Sequence, residues 1–109
     1  MGGTADEIRC KRVSEVRWIS VDMTAELDAG EVLTGTPALT VVGDGLTADS
    51  PAVNSTELTI NDVVVPIGRA VRFRVSAGVP SVEYGIKIRC DSDASQDIIS
   101  AILLQVIAD

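Results

Sequence analysis

The sequence predicts a single all-β domain of about seven to eight short antiparallel strands with at most one helical turn. Three observations point there. Two segments, Val71–Ser76 and Tyr84–Asp91, alternate apolar and polar residues with period two, which puts one set of side chains on each face of a strand. Turn signals built from Gly, Pro, Asn and Asp recur about every ten residues along the chain. Helix signals are poor throughout. A length of 109 residues suits one domain and allows a sizeable core.

Residues 1–14 are read as an N-terminal arm or a first strand, ahead of a sandwich or barrel domain at 15–109. Glu15 to Met23 is rich in Val, Trp and Ile and reads as a strand. Met23 to Gly30 is the best helical window, with Thr24 placed to cap a single turn and Gly30 to end it. Leu39–Val42 is a strand ending at Gly43-Asp44-Gly45, a tight turn lacking the Lys and Ser/Thr of a phosphate loop. Glu57–Ile60 and Val63–Val65 are short strands separated by Asn61-Asp62. Arg69 to Asp91 reads as two strands joined by the Gly78- and Pro80-bearing link, which predicts a hairpin. Asp97 to Ala108 has the composition of either a helix or a strand, and a closing strand is the more economical choice.

Composition narrows the function. The hydrophobic fraction is 46% with only Trp18, Phe73 and Tyr84 as aromatics, so the core is aliphatic and disorder is disfavoured. A net charge of −7 opposes phosphate-backbone binding, and nucleic acid is set aside as a partner. The start of the chain is polar, so no secretion signal is expected and synthesis is expected in the cytoplasm. The longest apolar run, Ile98 to Ala108, is too short to span a bilayer, and no membrane partner is expected.

The sequence contains no His, which removes the commonest general base. No catalytic residue, cofactor or metal site is assigned. Asp91-Ser92-Asp93 has calcium-type oxygens, but a solvated turn is the plainer reading. Asn54-Ser55-Thr56 matches a glycosylation acceptor and is read as an ordinary polar loop. Cys10 and Cys90 are spaced unlike metal ligands. They read as inert thiols, with an intramolecular or intersubunit disulfide as the alternative.

Two surfaces are candidates for binding. Arg72, Arg74, Lys87 and Arg89 occupy polar positions of neighbouring strands and are expected to share one outer face. That face is either solvated with cross-strand ion pairs or a dock for an acidic neighbour. The final segment is apolar at both parities: Ile98, Ile102, Leu104 and Val106 on one, Ile99, Ala101, Leu103 and Ile107 on the other. Such a strand is either covered on both sides within the domain or presents one side to another subunit.

From Arg17 onward the chain resembles small bacteriophage virion proteins of the fibre-tail adaptor or neck type. The residues carrying the likeness are Trp18-Ile19-Ser20-Val21-Asp22-Met23-Thr24-Ala25-Glu26-Leu27, Gly30-Glu31-Val32-Leu33-Thr34-Gly35, Asp44-Gly45-Leu46-Thr47 and Tyr84-Gly85-Ile86-Lys87-Ile88. The resemblance implies an immunoglobulin-like β-sandwich and a non-enzymatic place in a virion, with other virion proteins and copies of itself as partners. The strand bearing Trp18 is poorer in aromatics than that family's, and the first sixteen residues have no counterpart in it. Arg9, Lys11 and Arg12 make the first segment a candidate arm toward a neighbour. Together with Arg72, Arg74, Lys87, Arg89, Ile99, Leu103 and Ile107 they form the expected interface set. Tyr84, opening the penultimate strand, is placed to anchor a sandwich corner by bonding nearby backbone. The competing class is a sugar- or protein-binding β-sandwich adhesion module; a small acidic enzyme using paired carboxylates has no positive signal.

Overall fold

The computed structural model describes residues 8–60 and 62–109, and among them nine strands and one 3-10 turn. The strands are β1 (Ile8–Arg12), β2 (Arg17–Asp22), β3 (Leu33–Val42), β4 (Leu46–Val53), β5 (Leu58–Ile60), β6 (Val63–Val65), β7 (Ala70–Ala77), β8 (Glu83–Ser92) and β9 (Asp97–Ile107). They form a four-stranded sheet in the order β1-β9-β8-β3, a three-stranded sheet β2-β7-β4, and a small hairpin β5-β6. All pairings are antiparallel except β1 with β9, which is parallel. Set the β5-β6 hairpin aside and this is the connectivity of an immunoglobulin-like sandwich, with the first strand laid beside the last.

The alternation read from the sequence is the alternation of burial. On β7, Val71, Phe73 and Val75 point inward; on β8, Tyr84, Ile86, Ile88 and Cys90 do; on β9, Ile98, Ile102, Leu104 and Val106 do. With Ile19, Val21, Leu33 and Leu46 these residues make one core between the two sheets. Each fully buried aliphatic or aromatic side chain contributes about 1.5–3 kcal/mol relative to exposure. The final segment is the closing strand, eleven residues long, with inward and outward positions alternating from end to end.

The Met23–Gly30 window holds a single 3-10 turn at Thr24–Glu26. Thr24 does not cap it; instead the Asp22 side chain accepts from the Thr24 N–H at 2.9 Å. Residues 8–12 of the expected arm are a strand of the four-stranded sheet, and residues 1–7 lie outside the described residues.

Two expectations need correction. The segment Leu46–Val53 is a strand that the pattern did not suggest, because Asp49, Ser50 and Pro51 disfavour one. It survives as an edge strand, where Pro withholds no ladder bond, and it shifts register between Asp49 and Ala52 with Ser50 at a positive φ of 55°. The second correction is topological. β7 and β8 are not a hairpin: residues 78–82 carry the chain from one sheet to the other. Alternation defines which side chains go inward, but it is the same for two strands side by side and for two strands facing each other across a core.

Candidate functional site

The outer face of the four-stranded sheet carries the main candidate. β9 lies between β1 and β8, and its outward residues Ile99, Ala101, Leu103 and Ile107 run down the middle of that face. Ile99 is 52% exposed and Ile107 36%, while Leu103 is half-buried. At the far end of β3, Val42 is 66% exposed. Register fixes the frame around the stripe. Arg89 lies opposite Ile99, Lys87 opposite Ala101, and Arg12 opposite Ile107. Long cationic side chains beside an apolar stripe cover it with their methylenes and hold their charges at its rim. Arg89 also donates to Asp97 at 2.7 Å, which holds that carboxyl below its ordinary range; Asp91 contributes to the same lowering. Arg12 donates to the Ala108 carbonyl at 3.1 Å, tying β1 to the C-terminal residues.

The single basic face does not form. Because β7 and β8 belong to opposite sheets, Arg72 and Arg74 project from one side of the sandwich and Lys87 and Arg89 from the other. Arg74 is occupied: its Nε and Nη2 donate to the two carboxylate oxygens of Asp49 at 2.9 and 3.1 Å. That contact lowers the Asp49 pKa and raises that of Arg74. Lys11 also leaves the interface set. It is 1% exposed, because β1 turns it toward the core side with Val106, and its ammonium donates to the Arg12 and Val13 carbonyls at 2.6 and 3.0 Å. Arg9 stands in β1 opposite Leu104, and its side chain lies outside the described residues. Lys87, Arg89, Arg12, Ile99, Leu103 and Ile107 are thus brought together on one face.

Arg72 stands apart from its neighbour Arg74. Its guanidinium carbon sits 4.7 Å from the centroid of the Trp18 ring, a cation–π stack on the outer face of the three-stranded sheet. The pair edges a cleft of about 250 Å³ that Ser50, Ala52, Ser55, Thr56 and Leu58 also line. Trp18 was noticed in the sequence as part of a strand, but nothing in the sequence joined it to Arg72 or to residues 50–58.

The polar motifs turn out to hold the frame. Asn54 is buried; its Oδ1 accepts from the Gly68 and Ala70 N–H groups at 2.9 and 3.0 Å, and its Nδ2 donates to the Thr56 and Pro66 carbonyls at 2.9 and 3.0 Å. The apparent glycosylation acceptor is therefore a clamp closing the β4–β7 connection, inaccessible in the folded chain. Ser92, inside the calcium-like triplet, accepts from the Ala94 and Gln96 N–H groups and donates to buried Glu31. The neighbouring Asp93 accepts from the Val32 N–H at 3.1 Å. Hydrogen bonds from Ser92 and then from the Asp28 N–H hold the Glu31 carboxyl below its ordinary value. Neither cysteine is bonded to the other: Cys10 is exposed, while Cys90 is buried and donates to the Thr34 carbonyl at 3.3 Å. Burial, and secondarily Asp91, pushes the Cys90 thiol up in pKa, away from reactivity.

Among the described residues no group of three or more His, Cys, Asp or Glu is placed to hold a metal ion, and no helix is long and apolar enough to cross a membrane. The chain matches no family model and no curated protein.

Proposed function

We propose that this chain is a non-enzymatic structural protein of a bacteriophage virion, one that oligomerises and attaches to head, neck or tail components through the outer face of its four-stranded sheet. The observation that carries the assembly role is the apolar run Ile99–Ala101–Leu103, set mid-face, continued past exposed Gln105 by Ile107 and rimmed by Lys87, Arg89 and Arg12. Exposed contiguous apolar surface with a polar rim is the usual composition of an interaction site. The virion setting draws on the sequence resemblance. A four-stranded face offers roughly 20 by 30 Å, or about 600 Å² per partner, at the lower end of the range for specific interfaces. Burial of the stripe supplies the attraction, and the rim cations set orientation.

The deciding experiment is sedimentation velocity on the wild type and on an Ile99→Asp/Leu103→Asp double variant, with circular dichroism as the check on folding. The wild type is expected to form a defined multimer, and the variant a folded monomer. A wild type that stays monomeric at every concentration and is missing from purified particles ends the proposal. The competing class of sugar- or protein-binding adhesion module draws on half-exposed Trp18 beside its cleft, and glycan-array hits lost in Trp18→Ala would favour it.

A further inference from the structure

Among the described residues, every arginine side chain but one is spent on oxygens. Arg17 pairs with Glu15, Arg74 with Asp49 and Arg89 with Asp97, while Arg12 and Arg69 donate to backbone carbonyls. In a chain of net charge −7 that is the expected fate of a guanidinium. Arg72 departs from it: among the described residues it makes no ion pair and donates no hydrogen bond. Its guanidinium stacks on the Trp18 ring, which leaves the donor edge of the fork without a hydrogen-bond partner among the described residues. The Arg72–Trp18 pair faces the 250 Å³ cleft whose lining adds the hydroxyls of Ser50, Ser55 and Thr56 and the apolar side chain of Leu58.

We infer that this cleft is a second interaction site, distinct from the four-stranded face, and that it takes a carboxylate side chain from an acidic segment of a partner protein. A planar guanidinium matches a carboxylate through two parallel N–H···O bonds, and stacking on an indole holds the fork in place before the partner arrives. Ser55 and Thr56, which line the cleft, carry hydroxyls that can meet the remaining carboxylate oxygen positions or the partner's backbone, while Ser50 is engaged with Asp49. Trp and Arg side by side are also the residue types that dominate binding hot spots. A volume of 250 Å³ has room for about one residue's side chain, so the site recognises a single acidic residue and its flanks. This inference does not rest on self-assembly through β9, and it stands or falls in a monomer.

Trp18 is the only tryptophan, so its fluorescence reads this cleft and nothing else. The probes are a short capped peptide of alternating Glu and Gly, the same peptide with Gln in place of Glu, and glucuronate. Titration of the wild type with the Glu peptide at low salt is expected to give a saturable change, with a Kd of about 0.1–1 mM. Arg72→Gln is expected to weaken it at least ~10-fold, and Arg72→Lys to weaken it less, since charge is kept and the fork lost. Added salt is expected to weaken it as well. No saturable change overturns the inference, as does an equal response to the Gln peptide or an unaltered Arg72→Gln. Glucuronate binding as tightly as the Glu peptide overturns the protein partner and assigns the cleft to an acidic sugar. Running the same titration on the Ile99→Asp/Leu103→Asp variant separates failure here from failure of the assembly proposal.

Discussion

The two ends of the sandwich solve the same problem by different chemistry. At each end, loops cross between the sheets and leave backbone donors and acceptors that need partners. At the end holding the β2–β3, β4–β7 and β8–β9 connections, the partners are side-chain carboxylates, amides and a guanidinium. Glu31 receives Ser92, Gln96 and the Asp28 N–H. Arg69 reaches the Asp28 and Glu31 carbonyls. Asn54 closes the rest. At the opposite end one phenol joins two of the connections, while Lys11, Glu15 and Asp109 meet the backbone of the β1–β2 turn. The Tyr84 hydroxyl donates to the Asp44 carbonyl at 2.6 Å and accepts from the Val79 N–H at 2.9 Å, joining the β3–β4 turn to the β7–β8 crossing. Gly43 makes room for the ring: at a φ of 119°, an added Cβ would stand 2.7 Å from Tyr84 Cδ1. The comparison teaches that the first end closes its loops through Glu31, Arg69 and Asn54, whereas the second joins two of its connections through an aromatic hydroxyl and keeps its ionic contacts at the β1–β2 turn, where Glu15 accepts from the Arg12 N–H and Asp109 from the Ser14 N–H.

The largest expected effect breaks the polar end. Asn54→Ala orphans the buried Gly68 and Ala70 N–H groups and is expected to cost about 2–4 kcal/mol in chemical denaturation. Faster amide hydrogen exchange should appear at residues 66–70 before it appears near Tyr84. An exchange pattern that rises equally at both ends would erase the distinction. Tyr84→Phe tests the other end. It keeps the buried ring and removes both hydrogen bonds, so a loss of about 1–3 kcal/mol is expected, with the β3–β4 turn loosened. A value near zero would mean that ring packing alone holds that corner.

Acid sharpens the contrast further. Glu31 has a folded pKa below its ordinary 4.5, so its ionised form favours the folded state. That contribution is complete above the ordinary value and is lost as pH falls through the lowered one. Asp97 and Asp49 act with the same sign. Urea unfolding midpoints should therefore drop on going from neutral pH to below 4.5, and Glu31→Gln should flatten that drop. Tyr84→Phe should leave its slope unchanged. The smallest effect lies between the ends. Ser100 faces the core from β9, and among the described residues its hydroxyl has no hydrogen-bond partner. Ser100→Ala removes an unsatisfied group, so a change between zero and about 1 kcal/mol of added stability is expected in the same denaturation experiment. A marked loss would show that the hydroxyl has a role the static structure does not display.

What one strand suffices to show is legible in the sequence. The period-two alternation of β9 separates Ile98, Ile102, Leu104 and Val106 from Ile99, Ala101, Leu103 and Ile107, but both sets are apolar, and only the packing of β9 turns the first set inward. What one strand does not show is how two strands are placed relative to each other. Arg72, Arg74, Lys87 and Arg89 sit at the polar positions expected, yet they divide between the two outer faces. The charge of Lys11 places it in the expected interface set, yet its position opposite Val106 puts it inside, with its ammonium on the Arg12 and Val13 carbonyls.

The sequence alone determined that this is an all-β chain, which parity of β7 and β8 is buried, and where most turns fall. Those properties are local: they follow from side-chain alternation and from the dihedral preferences of Gly, Pro, Asn and Asp. Only the tertiary structure decided which strands are neighbours and which face each other, and with that the meeting of Arg72 with Trp18, the Asn54 clamp, and the grouping of Lys87, Arg89 and Arg12 around the β9 stripe. Sheet partnership depends on contacts between residues far apart in the chain, and a period-two pattern reads the same on either side of a sandwich.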